Sequence, residues 1–266
     1  MNKNNIISLT VMTLLATAVQ AVSAEQQPGT GFIEGSQLSV LNRNYYYNSD
    51  NHSGGKDGRE WGHSILSAFT SGYTSGTVGF GLDAHAYLAL KLDSGRGRNR
   101  SDMFPMKSNG ASRDESTSAG AAVKMRISRS ELKYGDLRPY NPVFALADTR
   151  MFPATATGFM FTSSEIDDLY IDAGHFTSGK DYNQTHGDGD FFAGYAGVKG
   201  GNVDYLGGSY GIDDNTSVTL YTSRYEDLWR QHYLNGNYTL PRGEQRALNL
   251  DANIYRTTEQ GQALAG

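Results

Sequence analysis

The chain of 266 residues contains no cysteine. An exported protein without disulfides must be held by something else, and a closed sheet, which satisfies its own backbone hydrogen bonds, is one solution. Beyond Ala24 there is also no apolar run near the roughly 18 residues that a membrane helix requires. If the chain spans a membrane, it spans as strands. Excess positive charge is missing too: the formal net charge is −5 and there is no Lys/Arg-rich tail, so nothing suggests a nucleic-acid partner.

What is present agrees with a sheet that is greasy on one face and wet on the other. Only 38% of residues are hydrophobic, alongside 32 glycines, 17 tyrosines and 11 phenylalanines. A large soluble sandwich would have a similar bulk composition, so the order of residues must decide.

The first 24 residues have the form of an export signal. Lys3 supplies the positive start, Ile6 to Val22 is largely apolar, and Val22-Ser23-Ala24 offers small residues for cleavage. A membrane helix is the alternative, but Ser8, Thr10, Thr13, Thr17 and Gln20 interrupt the run and no basic stop-transfer cluster follows. Residues 25–266 are then one exported domain without an internal boundary.

That domain is a series of segments of about ten residues separated by turn formers, several alternating with period two. In the clearest, Val78, Phe80, Leu82, Ala84, Ala86, Leu88, Leu90 and Leu92 share one face, while Asp83, His85, Tyr87, Lys91 and Asp93 share the other. Residues 119–128 divide likewise, with Ala121, Val123, Met125 and Ile127 opposite Ala122, Lys124, Arg126 and Ser128. Ten further segments give roughly twelve strands by the same reasoning: 32–47, 61–73, 131–138, 158–165, 169–176, 191–199, 203–212, 217–226, 229–240 and 246–256. Short turns such as Thr74-Ser75-Gly76 and Ser128-Arg129-Ser130 contrast with long polar loops at 49–60, 94–117, 139–157 and 178–190, the habit of an outer-membrane barrel. Tyr45-Tyr46-Tyr47, Trp61 and Trp229 suit an interfacial girdle.

Enzyme-like motifs are undone by their context. Gly207-Gly208-Ser209-Tyr210-Gly211 has the spacing of a nucleophile elbow, but it lies within a strand with no helix after it, so Ser209 reads as a wall residue. Gly79-Phe80-Gly81-Leu82-Asp83-Ala84 resembles a dinucleotide fingerprint without the helix that gives it phosphate-binding power. The six histidines, His52, His63, His85, His175, His186 and His232, have no zinc-ligand spacing, and Asp188-Gly189-Asp190 is an acidic doublet in a glycine-rich turn rather than a calcium loop. No catalytic residue, metal or cofactor is expected.

Basic residues on wet faces are more informative. Lys124 and Arg126 stand about 7 Å apart, repelling by roughly 0.6 kcal/mol in water and about 2.4 kcal/mol at a dielectric near 20. Such a pair is tolerated more easily where water or an anion can enter. Lys133 and Lys91 also lie on polar faces, while Arg43 is ambiguous. These residues are either solvated, snorkelling surface charge or a track along which a carboxylate passes between weak sites. The 139–157 loop contains Tyr140, Asn141, Pro142, Phe144, Asp148, Arg150, Phe152 and Pro153, and is more apolar than a solvent loop should be. Folded inward, it would narrow a pore, Asp148 attracting cationic ends and Arg150 carboxylates; folded outward, it would be a cover.

With these segments laid out, the chain resembles the OprD family of substrate-specific outer-membrane porins. The resemblance is carried by Arg43-Asn44-Tyr45-Tyr46, Glu60-Trp61-Gly62, Ser71-Gly72-Tyr73-Thr74, Leu132-Lys133-Tyr134-Gly135-Asp136, Ala156-Thr157-Gly158-Phe159, Ala173-Gly174-His175-Phe176, Glu226-Asp227-Leu228-Trp229 and Asn253-Ile254-Tyr255-Arg256, spread over nearly all of the exported domain. It implies an all-β, transmembrane antiparallel barrel of about eighteen strands, monomeric, with a constricting third extracellular loop and a basic ladder facing an acidic pocket. By motif position Arg43, Lys124 and Arg126 fall on the ladder and the 139–157 loop on the constriction, with Tyr140, Asp148, Arg150 and Phe152 as its lining. With roughly twelve strands and a loop-like end at Gln262–Gly266, the sequence reads as a member lacking its C-terminal strands.

The function that follows is passive, selective diffusion of small anionic or zwitterionic solutes across the outer membrane of a Gram-negative bacterium. The resemblance implies basic amino acids, aromatic or aliphatic carboxylates and carbapenems, with membrane lipid as the other partner. Two competing readings are an outer-membrane barrel enzyme using Asp83 and His85 near a rim, and a structural barrel with a plugged lumen.

Overall fold

A computed structural model describes residues 31–52, 57–93, 101–194, 196–243 and 246–265. The expected export signal, residues 1–24, lies outside the described residues. Fifteen strands follow one another: β1 Gln37–Ser49, β2 Gly58–Thr70, β3 Val78–Lys91, β4 Glu115–Ile127, β5 Ser130–Leu137, β6 Tyr140–Asn141, β7 Phe144–Ala145, β8 Thr155–Ser163, β9 Leu169–Lys180, β10 Phe191–Ala193, β11 Val198–Gly200, β12 Val203–Asp213, β13 Thr216–Tyr225, β14 Trp229–Pro241 and β15 Ala247–Glu259.

Eleven of them form one antiparallel sheet, ordered β1-β2-β3-β4-β5-β8-β9-β12-β13-β14-β15. The remaining four make two small hairpins, β6–β7 and β10–β11. Eleven wall strands agree with the expectation of roughly twelve, except at one segment. Residues 191–199, expected as a wall strand, pair with themselves as the β10–β11 hairpin, and Phe191 buries in the cluster around Phe144 instead of continuing the wall.

Connections in the main sheet alternate by rim. Residues 50–57, 92–114, 138–154, 181–202 and 226–228 join strands at one rim, and residues 71–77, 128–129, 164–168, 214–215 and 242–246 at the other. Long loops therefore gather on one side, as the sequence suggested.

The two faces of the sheet differ as the alternation requires. Phe80, Val123 and Leu220 point outward, 55%, 57% and 57% exposed, whereas their neighbours Ala122 and Lys124 are 2% and 4% exposed on the inner face. The aromatic girdle needs a correction on the same ground. Tyr46 and Trp61 are register partners on the outer face near the long-loop rim, where the Trp61 indole N–H donates to Asn44 at 3.0 Å. Tyr45 and Tyr47 point the other way and pack on buried apolar residues. Trp229 stacks on Tyr225, whose own hydroxyl reaches an inner loop.

The sheet is curled. Segment 143–148 touches β13, where the Tyr225 hydroxyl donates to the Val143 carbonyl at 3.0 Å, and also β1, where Arg43 reaches Asp148 at 2.8 Å. In a flat sheet, strands eight places apart would be about 38 Å from each other, and five extended residues reach only about 18 Å. The wall must wrap around the segment that touches both places.

Candidate functional site

The concave side is occupied by the segment between β5 and β8, and its sequence explains how it is seated. Asn141 begins the turn: its side-chain oxygen accepts the backbone N–H groups of Val143 at 3.1 Å and Phe144 at 2.8 Å, and its amide donates to Asp172 of β9 at 3.2 Å. That geometry throws Phe144 into an aromatic socket, with ring centroids 5.2 Å from Phe176, 5.6 Å from Phe191, 5.8 Å from Tyr225 and 6.1 Å from Tyr205. Burying such a side chain contributes about 1.5–3 kcal/mol, and each aromatic pair about 0.5–1.5 kcal/mol more. The Tyr205 hydroxyl donates to Asp172 at 2.8 Å, so the same carboxylate holds both the socket and the turn.

At its far end the segment is fixed again. Met151 and Phe152 bury against Tyr87 and Leu66, and Ser64 of β2 donates to the Met151 carbonyl at 3.1 Å. Between these anchors Asp148 is presented to the lumen. Arg43 donates to it at 2.8 Å and Arg138, at the end of β5, at 3.2 Å; Arg43 also donates to the Arg150 carbonyl at 2.5 Å. Partial burial works to raise the Asp148 pKa, but the hydrogen bonds and charges of Arg43 and Arg138 prevail and hold it below the usual carboxylate range. Arg150 lies over the rings of Tyr47 and Tyr182, 5.7 and 5.5 Å from their centroids, and donates to the Ser101 carbonyl at 2.7 Å. Asp181, next to Tyr182, is pushed up, first by burial and then by Asp102.

A second segment folds inward that sequence reasoning left as an ordinary loop. Met103 and Phe104, before β4, are buried against the cluster of Met151 and Phe152. Ser101 donates to Glu60, which is fully buried and paired with Lys91 at 3.2 Å. Gly62 is required beneath it, since a Cβ there would stand 2.8 Å from the Phe104 ring.

Deeper toward the short-turn rim the inner wall carries alternating charge. Asp83 accepts from Lys124 at 2.7 Å and Lys133 at 2.8 Å, and Lys133 also pairs with Glu131 at 3.3 Å. Lys124, 3% exposed at its side chain, donates to the Ser71 carbonyl at 2.8 Å, and the Arg126 guanidinium stands 4.4 Å over Tyr73. Above this, Lys180 pairs with Asp136 at 2.7 Å. Asp136 breaks the in–out alternation of β5 to reach the lumen. Gly135, at φ +138°, absorbs that break, and a Cβ there would lie 2.6 Å from Ala122 Cα.

The basic residues singled out from sequence thus all face inward but do not form one uniform row. Lys91, Lys124 and Lys133 are each neutralised by carboxylates, while Arg43 joins Arg150 and Asp148 at the loop. Tyr140 is 82% exposed, whereas Phe152 is an anchor rather than a lining residue. Sequence reasoning missed Arg138, Asp136, Lys180 and the acidic partners Asp83 and Glu60. A signal for Arg138 existed, since it stands immediately before the loop it serves. Ser209 is hydrogen-bonded to Thr219 across adjacent strands at 2.7 Å, a wall residue, and His85 stacks on Tyr87 with ring centroids 4.6 Å apart.

Comparison with known proteins places this architecture. Residues 30–266 match the family model described as outer membrane porin, OprD family. Porin D of Pseudomonas aeruginosa is 46% identical over 246 residues, covering 92% of this chain and 56% of the relative. Porin-like protein GalP of Pseudomonas putida is 30% identical over 262 residues, covering 97% and 63%. The crystal structure of Pseudomonas aeruginosa OpdK with vanillate superposes with a TM-score of 0.81 at 33% identity, covering 89% of this chain and 61% of that one. The chain therefore spans less than two thirds of the length of each of these three relatives, two of which are named as porins.

Proposed function

The chain belongs to the OprD family of outer membrane porins, and from that premise we propose that it provides the selective part of a passive path for small, carboxylate-bearing solutes, with the Asp148 loop as its constriction. The observation that carries this reading is the triad at the loop: one carboxylate, Asp148, set between two guanidinium groups, Arg43 and Arg138, with a third, Arg150, on the same segment. At Asp148 two guanidinium groups meet one carboxylate, and that local positive excess on the inward loop draws an anion in. Arg138 is 45% exposed at its side chain and can exchange its hold on Asp148 for a passing carboxylate. The contact is loose enough to release it again, which conduction requires.

Below the loop, the paired Lys124, Asp83, Lys133 and Glu131 offer alternating weak sites rather than a trap, and Arg126 over Tyr73 presents the last cation before the short-turn rim. Asp148 itself would hold the ammonium end of a zwitterion, so amino acids as well as simple acids fit this lining. The presence of vanillate, an aromatic carboxylate, in the structure of the relative OpdK favours the same class. We also propose that residues 1–24 are the export signal; a mature N-terminus elsewhere than Glu25 would contradict this.

The test is ion selectivity in planar bilayers. Arg138→Ala should lower the anion-to-cation permeability ratio while leaving the Arg43–Asp148 tether in place. An unchanged ratio would overturn the constriction role of the loop, and a chain that does not conduct would favour a plugged structural barrel.

A further inference from the structure

Strand register arranges the outer face of β9 and β12–β15 in rows. Nearest the long-loop rim, one row reads His175, Asp204, Arg224, Arg230. Toward the short-turn rim the next row ends in His232 and Arg256, and the one after it consists of Ile171, Gly208, Leu220, Leu234 and Ile254. A charged band therefore sits directly above an apolar one on the face that the fold turns toward lipid.

The charged band is not balanced. Asp204 is occupied by Arg224 at 2.7 Å and His175 at 2.6 Å. Arg230 stands directly across from Arg224 on the same face, and like charges in that position destabilise a sheet. Among the described residues, neither Arg230 nor Arg256 has a carboxylate partner. Two hollows adjoin here. One, of about 320 Å³, is lined by Asp204, Arg224, Arg230 and His232. The other, of about 910 Å³, is lined by Leu206, Tyr210, Leu220, Leu234 and Ile254 and ends at Arg256. It opens where Gly208 leaves a side chain out of the apolar row.

We propose that this face docks one lipid of the outer leaflet that carries a phosphorylated headgroup, its acyl chain in the groove over Gly208 and its phosphate bridging Arg230 and Arg256. Charge and shape point to the same occupant. Guanidinium groups bind phosphate oxygens bidentately, an anion on Arg230 offsets its repulsion with Arg224 across the sheet, and the adjoining apolar groove suits a hydrocarbon tail rather than water. The site rests on the reading that this face meets the membrane, and it is independent of solute selectivity inside.

Native mass spectrometry of the full chain in detergent micelles tests it, with lipid A, a doubly phosphorylated and acylated glucosamine disaccharide, as the probe. Dephosphorylated lipid A, phosphatidylcholine and inorganic phosphate serve as controls. One equivalent of lipid A should be retained, and the double variant Arg230→Gln/Arg256→Gln should weaken retention roughly thirtyfold, about fivefold per basic residue. Leu220→Trp fills the groove with another apolar ring and should also weaken retention, which keeps the test open if the arginine variant does not insert. Retention unchanged by either variant, or equal for the dephosphorylated lipid, would overturn the proposal, as would displacement of lipid A by equimolar inorganic phosphate. Anion selectivity in bilayers should be the same for the wild type and the arginine variant, so loss of the lipid site and loss of the porin reading are separable.

Discussion

Arg43 of β1 and Asp148 of the inward loop, 105 residues apart in sequence, meet at 2.8 Å. This contact ties the inward loop to the wall it faces, and Arg138 completes it from the other side at 3.2 Å. Packing at Phe144 and Phe152 places the loop, and the charges at its tip give it a sign.

Asp148→Asn should therefore leave the fold in place and change selectivity. The pair is partly solvent-exposed, so the stability change should stay within about 1 kcal/mol. Removal of one negative charge beside two guanidinium groups should raise the anion-to-cation permeability ratio by about fivefold, the equivalent of about 1 kcal/mol at 4 Å in water. Reversal potentials under a salt gradient measure this.

The same change should occur on acidification. The folded-state pKa of Asp148 is depressed by Arg43 and Arg138 against the effect of burial, so the tether is fully present above the ordinary aspartate pKa near 4 and is lost as pH falls through the lower folded value. Wild-type selectivity should move toward that of Asp148→Asn below about pH 4, and the variant should lack this component. Conductance titrations of both proteins would show it.

Phe144→Ala should loosen the loop rather than alter its charge. Truncation of a buried aromatic costs about 3–5 kcal/mol. The expected signs are a lower urea midpoint for the chain refolded in vesicles and noisier single-channel currents. Steady current with unchanged stability would mean that Phe144 does not seat the loop.

Asp83 neutralises two lysines, one of them buried. Asp83→Asn should destabilise by about 3–5 kcal/mol, because it leaves Lys124 without its partner, and adding Lys124→Met should recover part of that loss. Equilibrium unfolding of the single and double variants checks the coupling.

Much of the wall was legible because β3 and β4 divide two solvents. Val78 to Leu92 sort by face from alternation alone, and Lys124 and Arg126 share the inner face of β4 as their spacing requires. Partners across the sheet were not legible: Asp83 and Lys124 are 41 residues apart, and only the register between β3 and β4 makes them neighbours. Residues 191–199 have the composition of a wall strand, but Phe191 packs on Phe144 inside the curled sheet and the segment pairs with itself as a hairpin. Met103 and Phe104 lie in a polar stretch whose inward fold depends on the space above Gly62, a property of the assembled sheet.

The most direct measurement is a spin-label scan of the wall, made simple by the absence of native cysteine. Single cysteines would be introduced at Val123, Leu220 and Leu234 on the outer face, and at Arg126, Arg138 and Thr219 on the inner one. In lipid vesicles the first three labels should collide with dissolved oxygen and be shielded from a water-soluble nickel chelate, while the last three should do the reverse. Chelate access at Val123 and Leu220, or lipid-like oxygen access at Arg126 and Arg138, would contradict a sheet that separates hydrocarbon from a wet lumen.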